Sequence, residues 1–390
     1  MAAHSDNQLP SEPSFRYHAR TPGKISIQTT TQFSKDTLGL AYTPGVGDIV
    51  AHLHTHPEET SLYTWRGRTV AVISDGSAVL GLGNVGPEAA LPVMEGKALL
   101  FKELAGIDAV PIVLGTQDEK EIVAAITALA PSFGGINLED IAAPKCFAIE
   151  AALREQLSIP VVHDDQHGTA VVVLAGLINA HKVVGKDLHH ARVAVVGAGA
   201  AGIAITRLLL RYGVDDIVVV DSMGVIGPKR ANLPPLKREL AAATNREGRF
   251  GGVLEAVAGA DVVIGVSGPG SIAPEHVRVM AQQAIVFALA NPVPEIMPDE
   301  ALAAGAAVVA TGRSDFPNQV NNALVFPGLF RGLLDAPHTE CNEALFVAVA
   351  ETLAAVLARP SAQKILPTLF DRRVVKTLRS AVAGYRAHEK

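Results

Sequence analysis

The sequence predicts an α/β fold organised around parallel sheet, and three observations predict it. Short β-branched runs recur at 69–74, 109–114, 159–162, 191–196 and 216–220, each followed or preceded by a single helix-like stretch. Strands that alternate with single helices pair in parallel. Apolar residues make up 48% of the chain and charged ones 18%, which suits strands buried on both faces. With 390 residues the chain exceeds what one core usually holds, so two domains are expected. The reading divides the chain into a loose arm over 1–20, a first α/β domain over 21–162 and a second, doubly wound domain over 163–390 that ends in closing helices.

Composition excludes several classes. A net charge of −6 and the lack of any basic block argue against nucleic acid as a partner. Apolar runs such as 193–205 are interrupted by glycine and fall short of the roughly 20 residues a membrane span needs. The N-terminus is polar and has no apolar signal core. The two cysteines, Cys146 and Cys341, cannot make a disulfide framework, so a soluble cytoplasmic protein is expected.

Residues 1–20 are polar and punctuated by proline, as in a flexible arm. Residues 24–28 alternate like a short strand. Next, 40–47 (Leu-Ala-Tyr-Thr-Pro-Gly-Val-Gly) is turn-rich and carries Tyr42, either presented to a cleft or packed under the turn. His52, His54 and His56 alternate as on one strand face, but without acidic partners nearby they read as exposed residues before Pro57 rather than a metal site. The strand at 69–74 ends in Asp75-Gly76. Gly81, Gly83 and Gly86 then fit G-x-G-x-x-G. The following helix (91–104) leads to a strand (109–114) that ends in Gly115-Thr116, with no acid for a ribose. These glycines therefore read as a tight turn open to close approach by a ligand. Lys97 lies on that helix among apolar residues. It is either a base with a lowered pKa or a snorkelling lysine.

A helix (121–129) and a short strand (134–137) lead into Asn137-Leu138-Glu139-Asp140-Ile141. A helix (144–157) and a strand (159–162) lead into His163-Asp164-Asp165-Gln166-His167-Gly168-Thr169-Ala170, with a helix over 169–180. Four carboxylates thus gather at two strand ends, where α/β proteins place their chemistry. Crowded acids repel one another unless a cation holds them, and Mg²⁺ or Mn²⁺ prefers oxygen ligands. Glu139, Asp140 and Asp165 are the candidate metal ligands, with Asp164 beside them. The alternative is a set of helix N-caps and solvated turn acids.

After the strand at 191–196 comes Gly197-Ala198-Gly199-Ala200-Ala201-Gly202. A helix (203–212) and a strand (216–220) follow, ending at Asp221. This is a Rossmann-type unit. Its first glycine permits the tight turn, the second admits a pyrophosphate, and the third packs helix on strand. The helix N-terminus faces the phosphates with unpaired N–H groups. Asp221 suits the ribose hydroxyls of NAD and repels the 2′-phosphate of NADP, although Lys229 and Arg230 lie within reach of such a phosphate. Later strand ends place Ser267, Asn291 and the Asn321-Asn322 pair on the cofactor crevice. Ser267 and Asn291 are candidates for cofactor contact, Asn291 and Asn322 for substrate contact, with turn roles as the alternative. Residues 345–357 and 369–385 read as closing helices.

Taken together, Ala41 to Gly47, Gly81 to Pro87 with Leu91 to Lys97, Asn137 to Ile141, His163 to Ala170, the Gly197 turn and Thr311 to Gly328 identify a resemblance. The sequence resembles malic enzymes of the short bacterial type from about Lys24 to the C-terminus. The resemblance implies oxidative decarboxylation of L-malate to pyruvate and CO₂ with reduction of NAD(P)⁺. It implies Mg²⁺ or Mn²⁺ on Glu139, Asp140 and Asp165, Lys97 as general base and Tyr42 as general acid. It also implies substrate contacts from Asn291 and Asn322, Asp164 orienting Lys97 or a metal-bound water, and a homodimer or larger homo-oligomer. Longer malic enzymes carry a carboxylate-clamping arginine where this chain has Ser77-Ala78. Two other readings remain: a metal-independent dehydrogenase of amino-acid dehydrogenase type, and a non-catalytic NAD-binding sensor.

Overall fold

A computed structural model describes residues 12–20, 23–337 and 339–386. It contains two sheets. The first comprises β1 (Thr69–Ser74), β2 (Asp108–Val113), β3 (Gly135–Leu138) and β4 (Val161–His163), in the order β2-β1-β3-β4 and parallel throughout. The second comprises β5 (Arg192–Val196), β6 (Asp216–Asp221), β7 (Gly224–Ile226), β8 (Val262–Gly265), β9 (Ala284–Ala288) and β10 (Ala306–Thr311). Its order is β10-β9-β8-β5-β6-β7, parallel except for β7, which folds back on β6. The chain leaves β5 for β6 on one side and returns to β8 on the other, so a switch-point crevice opens there. The first sheet has its own reversal between β1 and β3. Strands β1, β3 and β4 are fully buried, as unbroken apolar runs in a parallel sheet demand.

The element that joins the sheets is the helix Asp164–Val184. Its apolar length packs against the helices Ala200–Tyr212 and Glu343–Ala355. The same core holds Val70 and Val72 of β1 and Val193 and Val195 of β5. Among the described residues it is the one helix long and apolar enough to cross a membrane, and most of it is buried inside the protein. It stops at Gly185, whose left-handed conformation returns an N–H to the His181 carbonyl.

Several elements depart from the sequence reading. Residues 24–28 form no strand and pair with none among the described residues. Alternation alone cannot make a strand without a partner edge. His52 and His54 lie on the helix Val46–Thr55, with His56 at its cap. There Val46, Ile49, Val50 and Leu53 follow the helical period, which overrides the histidine alternation. His52 bonds Glu59 at 2.7 Å and stacks on His56. Within the expected arm, Pro13–Arg20 is an exposed helix, and residues 1–11 lie outside the described residues. The helix expected from residue 169 begins at Asp164, so Asp164 and Asp165 occupy its first turn, where carboxylates suit the helix dipole. The hairpin strand β7 and the helix Phe326–Asp335 were not legible in the sequence pattern.

Candidate active site

The carboxylates converge where β3 and β4 end. Glu139 and Asp140 follow β3, and Asp164 and Asp165 follow β4, its neighbour in the sheet. One oxygen from each of Glu139, Asp140 and Asp165 lies within 4.8 Å of the others. The Asp140 N–H donates to Asp165 Oδ2 at 2.8 Å, locking the two strand ends together. Asn137, two residues before Glu139 and so on the same strand face, donates its amide to Glu139 Oε2 at 2.9 Å. Burial pushes the Glu139 carboxyl well above its ordinary range. Lys97 opposes this, and the charges of Asp165, Asp164 and Asp140 add to it. Such a crowded, oxygen-only set fits a hard divalent cation, whose charge would relieve the repulsion.

Lys97 reaches this cluster from the helix Pro87–Ala105. Its Nζ is 2.5 Å from Asp164 Oδ2 and 2.8 Å from Glu139 Oε1, and it lies over the Phe326 ring at 4.1 Å from the centroid. The lysine is buried, not snorkelling. The other alternative is a pKa lowered by apolar surroundings. Burial does act in that direction, but Asp164 and then Glu139 outweigh it and push the pKa up. Those carboxylates lie 67 and 42 positions away in the sequence, so no local pattern foretold the reversal. Gly168 lets Asp164 reach Lys97: a methyl group there would overlap Asp164 Oδ1 and crowd Asn322. Asn322 is thereby placed beside the cluster, at the start of a short 3₁₀ turn.

Tyr42 is in a different place. Its side chain is 68% exposed, and it is not among the groups that contact Lys97 Nζ. That exposure sets aside the alternative of a tyrosine packed under the turn.

The dinucleotide turn is built as its glycines require. Gly197 has φ 123°, and a side chain there would strike the Val266 carbonyl. At Gly202 a side chain would strike the Gly197 carbonyl. The helix Ala200–Tyr212 starts immediately after Gly199. Asp221, at the end of β6, is not free for a ribose. Arg230 takes both its oxygens, at 2.7 and 3.0 Å, and Lys237 takes Oδ2 at 2.6 Å. Burial alone would raise this carboxyl, but those cations bring it down to about 2. Lys229 instead approaches the Phe250 ring.

Ser267 and Ala290, the neighbour of Asn291, are linked by a residue that the sequence pattern did not disclose. Buried Glu295 accepts the Ser267 N–H at 2.8 Å and the Ala290 N–H at 3.0 Å, tying the loops after β8 and β9 together. The neighbour that needs room at Gly81 is backbone rather than ligand, because a side chain there would overlap the Asn291 carbonyl.

Comparison with known proteins agrees with this geometry. The family model for the malic enzyme N-terminal domain matches residues 22–154, and that for the malic enzyme NAD binding domain matches 166–385. The chain belongs to the malic enzyme family. It is 50% identical over 377 residues to a bifunctional malic/malolactic enzyme of Bacillus subtilis (strain 168), covering 95% of this chain and 92% of that relative. It is 46% identical to an NADP-dependent malic enzyme of Halomonas elongata, covering 94% and 91% of the two chains. The crystal structure of an NAD-dependent malic enzyme from Thermotoga maritima superposes with a TM-score of 0.92 at 46% identity, over 96% of this chain and 99% of that one. Lys97, Asp164, Glu139 and Asp140 are buried, and half-exposed Asp165 completes the same cluster.

Proposed function

We propose that this malic enzyme converts L-malate to pyruvate and CO₂ while reducing NAD(P)⁺. The observation that carries the reading is Lys97 buried between Asp164 and Glu139, next to oxygens of Asp140 and Asp165. Glu139, Asp140 and Asp165 would hold Mg²⁺ or Mn²⁺, which supplies Lewis acidity toward the substrate's oxygens. Lys97 Nζ accepts the C2 hydroxyl proton as hydride passes from C2 to the nicotinamide. For this it must first give up a proton, and Asp164 Oδ2 at 2.5 Å is the acceptor that holds it. Loss of CO₂ then leaves enolpyruvate, whose C3 takes a proton from Tyr42. Asn322, beside Asp164, and Asn291 are the candidate substrate contacts.

Tyr42, exposed on its own chain and out of contact with Lys97 Nζ, would serve from a neighbouring copy. The segment around it exposes Ile27, Phe33, Leu40, Val50 and Leu62 together with Tyr42 and Trp65. Exposed apolar groups clustered in one segment mark an interface. In this reading a second copy of the chain covers the segment, and Tyr42 of each copy completes the site of the other. NAD⁺ is the preferred cofactor in this reading, because Asp221, although its oxygens are taken by Arg230 and Lys237, still sets a negative charge at the end of β6 against a 2′-phosphate. Arg230 and Lys237 leave NADP⁺ a route if they exchange that carboxylate for a 2′-phosphate. A cytoplasmic location belongs to the same reading, with Cys146 and Cys341 as free thiols.

The test is malate-dependent reduction of NAD⁺ and of NADP⁺ after EDTA treatment, with and without added Mn²⁺, with pyruvate measured as product. Metal-dependent reduction with stoichiometric pyruvate is expected. Undiminished activity without metal would favour the metal-independent dehydrogenase reading. No turnover under any of these conditions would favour the sensor.

A further inference from the structure

We propose that Ser77 is a positioning residue for the metal-ligand loop: through the Ala142 amide it holds the chain in the conformation that aims Asp140 at the site. The inference rests on the reading of Glu139, Asp140 and Asp165 as metal ligands.

Glu139 and Asp140 are adjacent, and adjacent residues in a strand point to opposite faces. Their oxygens nonetheless meet those of Asp165 within 4.8 Å. The alternation is broken at Asp140, whose φ is 54°. A non-glycine residue in the left-handed region persists only where its surroundings hold it. Three hydrogen bonds do so. The Asp140 N–H donates to Asp165 Oδ2 at 2.8 Å, the Ala78 N–H donates to the Asp140 carbonyl at 3.0 Å, and the Ala142 N–H donates to Ser77 Oγ at 2.9 Å. Of these, only the last uses a side chain that is not itself a candidate ligand.

The Ser77 hydroxyl is oriented for this task. Its single proton goes to Asp75 Oδ1 at 2.6 Å, which leaves a lone pair to face Ala142. The Ser77 N–H also donates to Asp75 Oδ1, at 3.0 Å. Asp75 is fully buried and is anchored on its other oxygen by Lys145 Nζ at 2.5 Å. Lys145 in turn bonds the Gln117 carbonyl at 3.2 Å, and the Gln117 amide bonds the Asp75 carbonyl at 3.2 Å. The end of β1 is thus a braced platform, and Ser77 passes its rigidity to the loop after β3. Ser77 and Ala78 support the metal loop from behind.

The experiment measures Mn²⁺ binding to the full chain by electron paramagnetic resonance of free Mn²⁺, without substrate or cofactor. Asp165→Ala is the reference and should lose Mn²⁺ binding. Ser77→Ala should raise the Mn²⁺ Kd about tenfold, the usual scale for groups that orient metal ligands. Ser77→Thr, which keeps the hydroxyl, should restore it, and Ser77→Cys, a weaker acceptor of similar size, should fall between. The melting temperature of Ser77→Ala should fall by a few degrees at most, as the Ala142 N–H loses its acceptor, while its NAD⁺ affinity should match the wild type. Its kcat at saturating Mn²⁺ should also stay close to wild type while the Mn²⁺ requirement rises. A wild-type Mn²⁺ Kd in Ser77→Ala, with or without a fall in melting temperature, would overturn the positioning role if Asp165→Ala has lost binding. Wild-type Mn²⁺ binding by Asp165→Ala would overturn the metal-site reading itself, and this inference with it.

Discussion

If Tyr42 acts across an interface, two dead variants should revive each other. Tyr42→Phe removes the phenolic proton donor and Lys97→Ala removes the buried amine. Each homo-oligomer should lose turnover by about 10²-fold or more, the scale of a general acid or base. The structure then fixes the arithmetic of a mixed dimer. Lys97 sits in the cluster of its own chain, bonded to Asp164 and Glu139, while Tyr42 is exposed on the same chain. A heterodimer of the two variants holds one site with the lysine of one chain and the tyrosine of the other, and a second site with neither. In a two-fold dimer it should recover about half the wild-type kcat. The assay is co-expression with two affinity tags, sequential purification, and malate-dependent cofactor reduction. The reciprocal pairing sharpens the result. A heterodimer of wild type with the Tyr42→Phe/Lys97→Ala double variant has one group missing from each site, so it should be inactive if Tyr42 acts in trans. It should retain about half the activity if each chain uses its own tyrosine. Activity in the second heterodimer but not in the first would refute the exchange.

Three other perturbations bear on the cluster and the cofactor. Gly168→Ala should displace Asp164 from Lys97, because the added methyl overlaps Asp164 Oδ1. A loss in kcat of at least about tenfold is expected with NAD⁺ affinity unchanged, and a wild-type rate would mean that Asp164 does not have to be near Lys97. Asp221→Ala frees Arg230 and Lys237, so the ratio of kcat/KM for NADP⁺ to that for NAD⁺ should rise by about tenfold or more. An unchanged ratio would remove Asp221 from the selectivity. Glu150 tests the pH dependence of folding. Burial by itself would raise its pKa, but His167, followed by Arg154 and His163, brings it down to about 2. Its folded pKa therefore lies below the unfolded value of about 4.3, so its contribution, on the order of 3 kcal/mol, is present above that pH and is lost as the pH falls toward 2. In urea titrations, the stability gap between wild type and Glu150→Gln should narrow as the medium is acidified below about pH 4, and a gap independent of pH would refute the assignment.

What the sequence disclosed and what it withheld follow one physical line. Strands at 69–74 and 216–220 were legible because burial on both faces leaves an unbroken apolar run, and the Gly197 turn because a positive φ and a close carbonyl tolerate no side chain. Glu139, Asp140, Asp164 and Asp165 were legible as a group because two adjacent parallel strands end beside each other. Whatever depends on contacts distant in sequence was not. The pKa of Lys97 moves opposite to its local surroundings because two carboxylates arrive from other strands. Asp221 is paired by Arg230 and Lys237, which only the backfolded β7 hairpin brings near. The Gly81 motif imitates a dinucleotide loop, yet its first glycine answers to the Asn291 backbone. Tyr42 is the extreme case: it is exposed on its own chain, and under the proposed exchange its contact comes from a second copy. Under that proposal, a motif residue exposed in the same segment as Ile27, Phe33 and Leu40 gains its role in chemistry once folding continues into assembly. On that argument the same apolar segment that a lone chain leaves in water is what ties catalytic competence to association, and dilution below the dimer dissociation constant should remove activity before it removes the fold.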